Sequence, residues 1–305
     1  MFNLETILEM IKTMVMVFYF IVSSMVKAVL PVSWQYKKDI SKDTALVTGA
    51  GSGIGRALAI SLAKHGCKVV LWDINEEGNE ATASEIKRFG GHAHTYTIDM
   101  SKREDIYKVA DQVLSEVGVI GVLINCAGIV NIKSILQCPD AHIEKCMQVN
   151  TMAHFWTTKA FLPAMIERDH GHIVSMASSA GLAGMAGLTD YCASKFAVVG
   201  LLEALTMELI AEKRSIRTTT VCPMAVDTPM MNQFKSLVET SEDMPTMKPD
   251  YVAQRIVDAI RTNQELLCLP RSCYSLIVLK ALLPTRAMQM LLTTTGGVNA
   301  MTDKD

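Results

Sequence analysis

The chain has 305 residues, half of them hydrophobic and only 20% charged, with a formal net charge of −2 and a mean hydropathy of +0.24. That length and apolar content point to one large α/β domain with appendages, and a near-neutral chain without a long basic run argues against nucleic-acid binding. The eight cysteines show no CxxC and no Cys/His ligand spacing, so they read as reduced thiols in a cytosolic setting, and no metal site is expected.

From Thr13 to Val26 the sequence carries no charge, and Ile7, Leu8, Met10, Ile11, Ala28, Val29 and Leu30 extend the apolar run on either side. A membrane-spanning helix needs about 20 mostly apolar residues, and Lys12 and Lys27 can snorkel at its ends. A cleaved signal peptide would open with basic residues, whereas Glu5 and Glu9 stand there instead. Residues 1–36 therefore read as an uncleaved anchor rather than a signal peptide or core helix, either spanning the bilayer or lying in one leaflet. Lys27, Lys37, Lys38 and Lys42 follow the run and assign the rest of the chain to the cytosolic side.

Across residues 37–270 apolar runs of strand length alternate with helical patterns. TALVT precedes IGRALAISLAKHG, KVVLWD precedes EEGNEATASEIKRF, and AHTYTID precedes REDIYKVADQVLSEV. VLINCAG then leads into a long helical stretch around Asn150, HIVSMAS leads into YCASKFAVVGLLEALTMELIAEK, and IRTTTVCP follows. This alternation predicts a Rossmann-type, doubly wound parallel sheet wrapped by helices on both faces. No Pro/Gly/Ser-rich linker divides it, so a single domain is expected. Residues 271–305 form an apolar extension in which YSLIVLKALLPTRAMQMLL is interrupted by Pro284. It fits an interfacial helix at the bilayer, or equally a helix packed over a substrate cleft or at a subunit contact.

The first strand-to-helix turn reads Thr48-Gly49-Ala50-Gly51-Ser52-Gly53-Ile54-Gly55. Glycines there allow a tight turn and a close backbone approach to a pyrophosphate at the positive helix N-terminus. The second strand ends at Asp73, placed to bind both hydroxyls of an adenosine ribose. Its carboxylate repels a 2′-phosphate, and no Arg or Lys inside the turn or just after Asp73 offsets that repulsion, so NAD is favoured over NADP. The competing reading of Asp73 is a helix N-cap. Asp99, ending the third strand, has the same alternative.

Together with Asn125-Cys126-Ala127-Gly128, Asn150, Ser178 and Tyr191-Cys192-Ala193-Ser194-Lys195, the glycine turn resembles the pattern of the short-chain dehydrogenase/reductase family over nearly all of residues 43–270. The resemblance implies Asp99 near the adenine, Asn125 stabilising the central strand, Ala127 and Gly128 in the cofactor site, and Pro223 and Thr228 near the nicotinamide. Two positions depart from the pattern: Cys126 replaces a second Asn, and Met224 follows Pro223 where the family usually has Gly. LWDINEEGNE, TKAFLPAMI and DHGHIVSMASSAGL are similar to the membrane-bound subgroup of epidermal and other retinol dehydrogenases and lipid-droplet 17-beta-hydroxysteroid dehydrogenases. By that likeness the anchor lies in the endoplasmic reticulum or on lipid droplets, and the chain pairs as a homodimer.

Tyrosine, with a pKa of about 10, is a poor base near neutrality and needs a cation beside it. Tyr191 and Lys195 are one helical turn apart, so the ammonium can favour the phenolate. Ser178 can hydrogen-bond a substrate oxygen as charge develops on it; Ser179 competes, and the family's spacing to Tyr191 favours Ser178. Asn150, by resemblance, holds a water that links Lys195 to solvent. The histidines at 92, 94, 142, 154, 170 and 172 form no ligand pattern, and Met224, Met230 and Met231 sit where the family has a mobile substrate lid. The expected function is NAD-dependent interconversion of a lipophilic alcohol and its carbonyl, all-trans-retinol/retinal first and a hydroxysteroid or other lipid alcohol second. The rival class is a non-catalytic membrane or lipid-droplet interaction protein.

Overall fold

The computed structural model describes residues 4–232 and 245–294. Residues 1–3, 233–244 and the last eleven lie outside the described residues. The chain divides into two compact units, Met1–Lys38 and Asp39–Asp305.

In the first unit, helix α1 spans Leu4–Val29. Its apolar portion, Leu4–Val26, is 23 residues long with a mean hydropathy of 1.7 and none of it buried. At 1.5 Å per residue such a helix is about 35 Å long, enough to cross a hydrocarbon layer of about 30 Å. Phe18, Tyr19 and Phe20 are all more than half exposed.

In the second unit, seven parallel strands form one sheet in the order β3-β2-β1-β4-β5-β6-β7. They are β1 (Thr44–Thr48), β2 (Lys68–Asp73), β3 (Ala93–Thr97), β4 (Val122–Asn125), β5 (His172–Met176), β6 (Arg217–Pro223) and β7 (Leu266–Leu269). Strand order reverses between β1 and β4, which opens a crevice at their C-terminal ends. Helices α2 (Gly53–Lys64), α3 (Glu76–Arg88), α4 (Arg103–Glu116), α5 (Asp140–Met147), α6 (Ala153–Arg168) and α7 (Thr189–Ala211) connect the strands. Helix α8 (Pro249–Thr262) precedes β7, and α9 (Tyr274–Leu282) and α10 (Thr285–Thr294) follow it. The C-terminal apolar piece is therefore two short helices, because Pro284 cannot continue the first.

Successive strand residues point to opposite faces, and two separate cores record that alternation. Val47, Leu71, Ile124 and Val174 pack with Leu58 and Leu62 of α2 and Ile256 and Ile260 of α8. Their neighbours Leu46, Val70, Leu123 and Ile173 pack on the other face with Ile106 and Val113 of α4, Phe161 of α6 and Leu202 of α7. A sheet covered on both faces requires continuous apolar strands, and β4 and β5 are buried at every position. The edge strand β3 is half exposed and accordingly reads AHTYT. Trp72 and Phe161 anchor the second core with ring centroids 5.7 Å apart; truncating either to Ala costs about 3–5 kcal/mol at such sites.

Candidate functional site

Every predicted site residue on a strand lies at or just beyond its C-terminal end, around the crevice. The turn after β1 fits a dinucleotide because its glycines leave room that side chains would fill. A Cβ on Gly55 would lie 2.0 Å from the Gly49 carbonyl oxygen, and one on Gly49, whose φ is +69°, 2.9 Å from Ala127 Cα. Gly53 also has a positive φ, +53°, and a Cβ there would meet Thr228 Cγ2 at 3.1 Å. Ser52 and Ile54 thus sit in a turn enclosed by the Ala127 segment on one side and Thr228 on the other. Ser52 occupies the N-cap position of α2 without a side-chain capping bond, leaving its hydroxyl available to an anion at the helix N-terminus.

Asp73 closes this cradle. One carboxylate oxygen accepts the Gly51 N–H at 2.7 Å and the other the Asn75 N–H at 2.8 Å. The N-cap of α3 is Asn75, whose side chain accepts from Gly78 N–H, so Asp73 is not a helix cap. Both oxygens keep spare lone pairs for ribose hydroxyls. Asp99 instead folds onto Ser101, accepting its hydroxyl at 2.7 Å and its N–H at 3.0 Å. Burial works against the Asp99 charge, but those two bonds together with the Lys145 and Lys102 charges outweigh it and hold the carboxyl below its usual range.

The Asn125–Gly128 segment is tied to the turn by Thr48, whose hydroxyl accepts the N–H groups of Cys126 at 2.9 Å and Ala127 at 3.0 Å. Asn125 is buried and accepts the Thr157 hydroxyl at 2.7 Å. Asn150 lies in a π-helical turn, Gln148–Met152, between α5 and α6. Its side chain accepts the Ile129 N–H at 2.8 Å, donates to the Ile129 carbonyl at 2.9 Å, and donates to the Ser194 hydroxyl at 3.1 Å. Gly128 fits beside it, since a Cβ there would stand 3.4 Å from Asn150 Oδ1 and 3.6 Å from Lys195 Nζ.

Tyr191 and Lys195 sit in the first turns of α7. The Lys195 ammonium is buried, donates to the Met176 carbonyl at 2.8 Å, and lies 5.6 Å from the Tyr191 ring centroid. Burial pulls its pKa down to about 8, which leaves it largely charged at neutral pH. Burial also pushes the Tyr191 phenol up to about 12, a rise that a hydrogen bond with Ser178 offsets only in part. Ser178 Oγ accepts the Ala180 N–H at 3.1 Å and faces the Pro223 carbonyl at 3.4 Å. Ser179 is buried in the following short helical turn, Ser179–Gly181, whereas Ser178 stands just before it at the N-cap. A phenol and a serine hydroxyl at the same end of the sheet, with an ammonium behind the phenol, can exchange a proton with a substrate oxygen held against both.

Thr228 donates its hydroxyl to the Val226 carbonyl at 3.2 Å and rests its methyl over Gly53. Pro223 pairs with Leu269 at the end of β6, and Met224 after it is 45% exposed, so the larger residue at that position is accommodated by pointing outward. Sequence reasoning missed Thr157, Ser194 and the backbone of Ile129 as the partners that hold Asn125 and Asn150. His154, in the next turn of α6 after Asn150, is buried; burial, then the Lys195 charge, keeps its pKa well below the usual range, so it is neutral.

The chain is similar to several known proteins. The family model for short chain dehydrogenase matches residues 43–238. Epidermal retinol dehydrogenase 2 of Homo sapiens is 42% identical over 302 residues, covering 98% of this chain and 96% of the relative. Retinol dehydrogenase 10 of Homo sapiens is 44% identical over 278 residues, covering 83% of this chain and 82% of the relative. Among solved structures, a metagenomic short-chain oxidoreductase in complex with NADP superposes with a TM-score of 0.63 at 30% identity, covering 74% of this chain and 94% of that one. A short chain dehydrogenase/reductase from Burkholderia phymatum in complex with NAD has the same fold, with a TM-score of 0.73 at 24% identity, covering 88% and 99% of the two chains.

Proposed function

The chain belongs to the short chain dehydrogenase family, and from that premise we propose that it interconverts all-trans-retinol and retinal at a membrane surface. It is an NAD-dependent alcohol oxidoreductase. The near full-length likeness to retinol dehydrogenases supports the substrate, and the buried Lys195 ammonium, 5.6 Å from the Tyr191 ring centroid one helical turn away, carries the assignment of the reacting groups.

The nicotinamide dinucleotide, when bound, accepts hydride from the alcohol carbon. Thr48, Gly49, Gly51, Ser52, Gly53, Ile54 and Gly55 shape the turn that would hold its phosphates; Asp73 would bind the adenosine ribose and Asp99 would serve the adenine end. Asn125, Ala127, Gly128, Pro223 and Thr228 line the route to the nicotinamide end. Tyr191 takes the hydroxyl proton during oxidation and returns one during reduction. Ser178 holds the substrate oxygen while charge builds on it, a form of preorganised stabilisation that contributes about 3 kcal/mol where a single donor has been removed from such sites. The Lys195 charge favours the phenolate, and Asn150 fixes the backbone beside Lys195 where protons pass to solvent.

A retinoid or a steroid partitions into lipid, so attachment through α1 brings the enzyme to its substrate. The helix belongs in the endoplasmic reticulum membrane or on lipid droplets, with the catalytic unit on the cytosolic side, and the functional unit is a homodimer. The deciding experiment is NADH formation by membranes containing the full chain, offered NAD with all-trans-retinol or a 17-beta-hydroxysteroid, beside a Tyr191→Phe control. Turnover of retinol that vanishes in the control supports the proposal. Turnover of the steroid alone transfers it to the steroid, and turnover of neither with NAD still bound sinks it.

A further inference from the structure

Helix α9 buries none of its residues, yet polar contacts pin it at both ends. The Tyr274 hydroxyl donates to the Leu266 carbonyl at 2.8 Å and accepts the Cys268 N–H at 3.2 Å. Near its far end, Lys280 donates Nζ to the Leu182 carbonyl at 3.0 Å and stands 4.5 Å from the centroid of the Phe196 ring. A surface lysine ordinarily extends into water. Here it folds back into a charge-assisted hydrogen bond and a cation–π contact at once.

Both partners belong to the segments that carry the reacting groups. Phe196 directly follows Lys195. Leu182 ends the short turn that begins at Ser178: Gly181 N–H donates to the Ser178 carbonyl at 2.9 Å, and Leu182 N–H to the Ser179 carbonyl at 3.0 Å. Between these two segments Gly181 lies so close to α7 that a Cβ on it would stand 2.7 Å from the Lys195 carbonyl oxygen. The serine turn and the tyrosine helix are thus in contact at Gly181 and bridged at their outer edge by one cation from the C-terminal extension.

We infer that Lys280 is a positioning residue, a clamp from the C-terminal extension that holds the Ser178 turn against α7 and so sets the aim of the serine hydroxyl at Tyr191. The inference rests on the dehydrogenase reading for its consequence in catalysis, although the clamp itself is a matter of backbone order. It assigns a task to α9, a helix that contributes no buried side chain.

The test uses the full chain in membranes, with Lys280→Met and Lys280→Arg made both alone and in a Ser178→Ala background. Lys280→Met lowers kcat about tenfold, in line with loss of one charge-assisted bond, and leaves the KM for NAD unchanged. Lys280→Arg restores most of the rate. In the Ser178→Ala background Lys280→Met causes no further loss, because the group it aims is gone. An equal loss in both backgrounds would overturn the inference. Should the unaltered chain oxidise no alcohol, the functional reading fails by itself, and amide hydrogen exchange at Gly181 and Leu182 decides the clamp. Faster exchange in Lys280→Met upholds it, and unchanged exchange overturns it.

Discussion

The carboxylate of Asp73 accepts the backbone N–H of Gly51 at 2.7 Å, so the acidic end of β2 and the glycine turn after β1 are braced against each other. A Cβ on Gly51 would come within 3.0 Å of the same oxygen, which is why the turn needs glycine where the acid approaches. Asp73→Ser removes the charge that repels a 2′-phosphate and loosens this brace together. Catalytic efficiency with NAD should fall about thirtyfold, the equivalent of one charged hydrogen bond, while efficiency with NADP rises. Steady-state kinetics with both cofactors reads this out; a variant that keeps the parent's preference for NAD would remove Asp73 from the explanation.

Gly55→Ala tests the cradle by steric means. With the Gly49 carbonyl 2.0 Å from the new methyl position, the turn must open, at a cost of about 3 kcal/mol or more. The variant should melt at a lower temperature and bind NADH weakly, as followed by quenching of protein fluorescence.

Lys195 is held in a place that suits chemistry and opposes stability. Its pKa of about 8, against a usual value of 10.5, corresponds to about 3 kcal/mol of buried-charge penalty at neutral pH. Lys195→Met removes that penalty and leaves the Met176 carbonyl without its donor, which returns about 1 kcal/mol. The inactive variant should therefore melt a few degrees higher at pH 7. Between pH 8 and 10.5 the unfolded chain still binds the proton that the folded state has released, so the unaltered protein gains stability with rising pH. The advantage of Lys195→Met should shrink across that window, and thermal melts of the cofactor-free proteins from pH 7 to 10.5 would show it. A constant gap would mean the ammonium bears no such penalty.

Deleting residues 1–36 should move the protein from the membrane pellet to the supernatant in flotation or sedimentation assays. Retention in the pellet would assign membrane attachment to the second unit.

The parallel sheet and its helices were legible because strand-length apolar runs alternate with helical ones, and both cores follow from that pattern. The short strand β7 and helix α8 were less so: LLCL is only four residues long, and α8 interleaves Asp250, Arg255, Asp258 and Arg261 with the buried Val252, Ile256 and Ile260. In the site, Asp73, Ser178, Tyr191 and Lys195 could be named from local spacing, and the structure gathers them at one end of the sheet. Their supports could not. Thr48 reaches across to Cys126 and Ala127, Thr157 reaches Asn125, and Lys280 reaches Leu182. Each is a long-range partner whose side chain has no periodic or motif signature.

The π-helical turn at Gln148–Met152 makes this region sensitive to a kind of change that composition does not register. A π turn holds about one residue more than an α turn, so the helices on either side keep the faces that an uninterrupted α-helix would give them. Thr157 meets Asn125 and Phe161 meets Trp72 on faces that the wide turn preserves. Loss of a single codon between Gln148 and Met152 would close it to an ordinary turn: the residues from Ala153 to Arg168 would keep their neighbours, and the change would fall on Asn150, whose bonds to Ile129 and Ser194 are made from the widened turn.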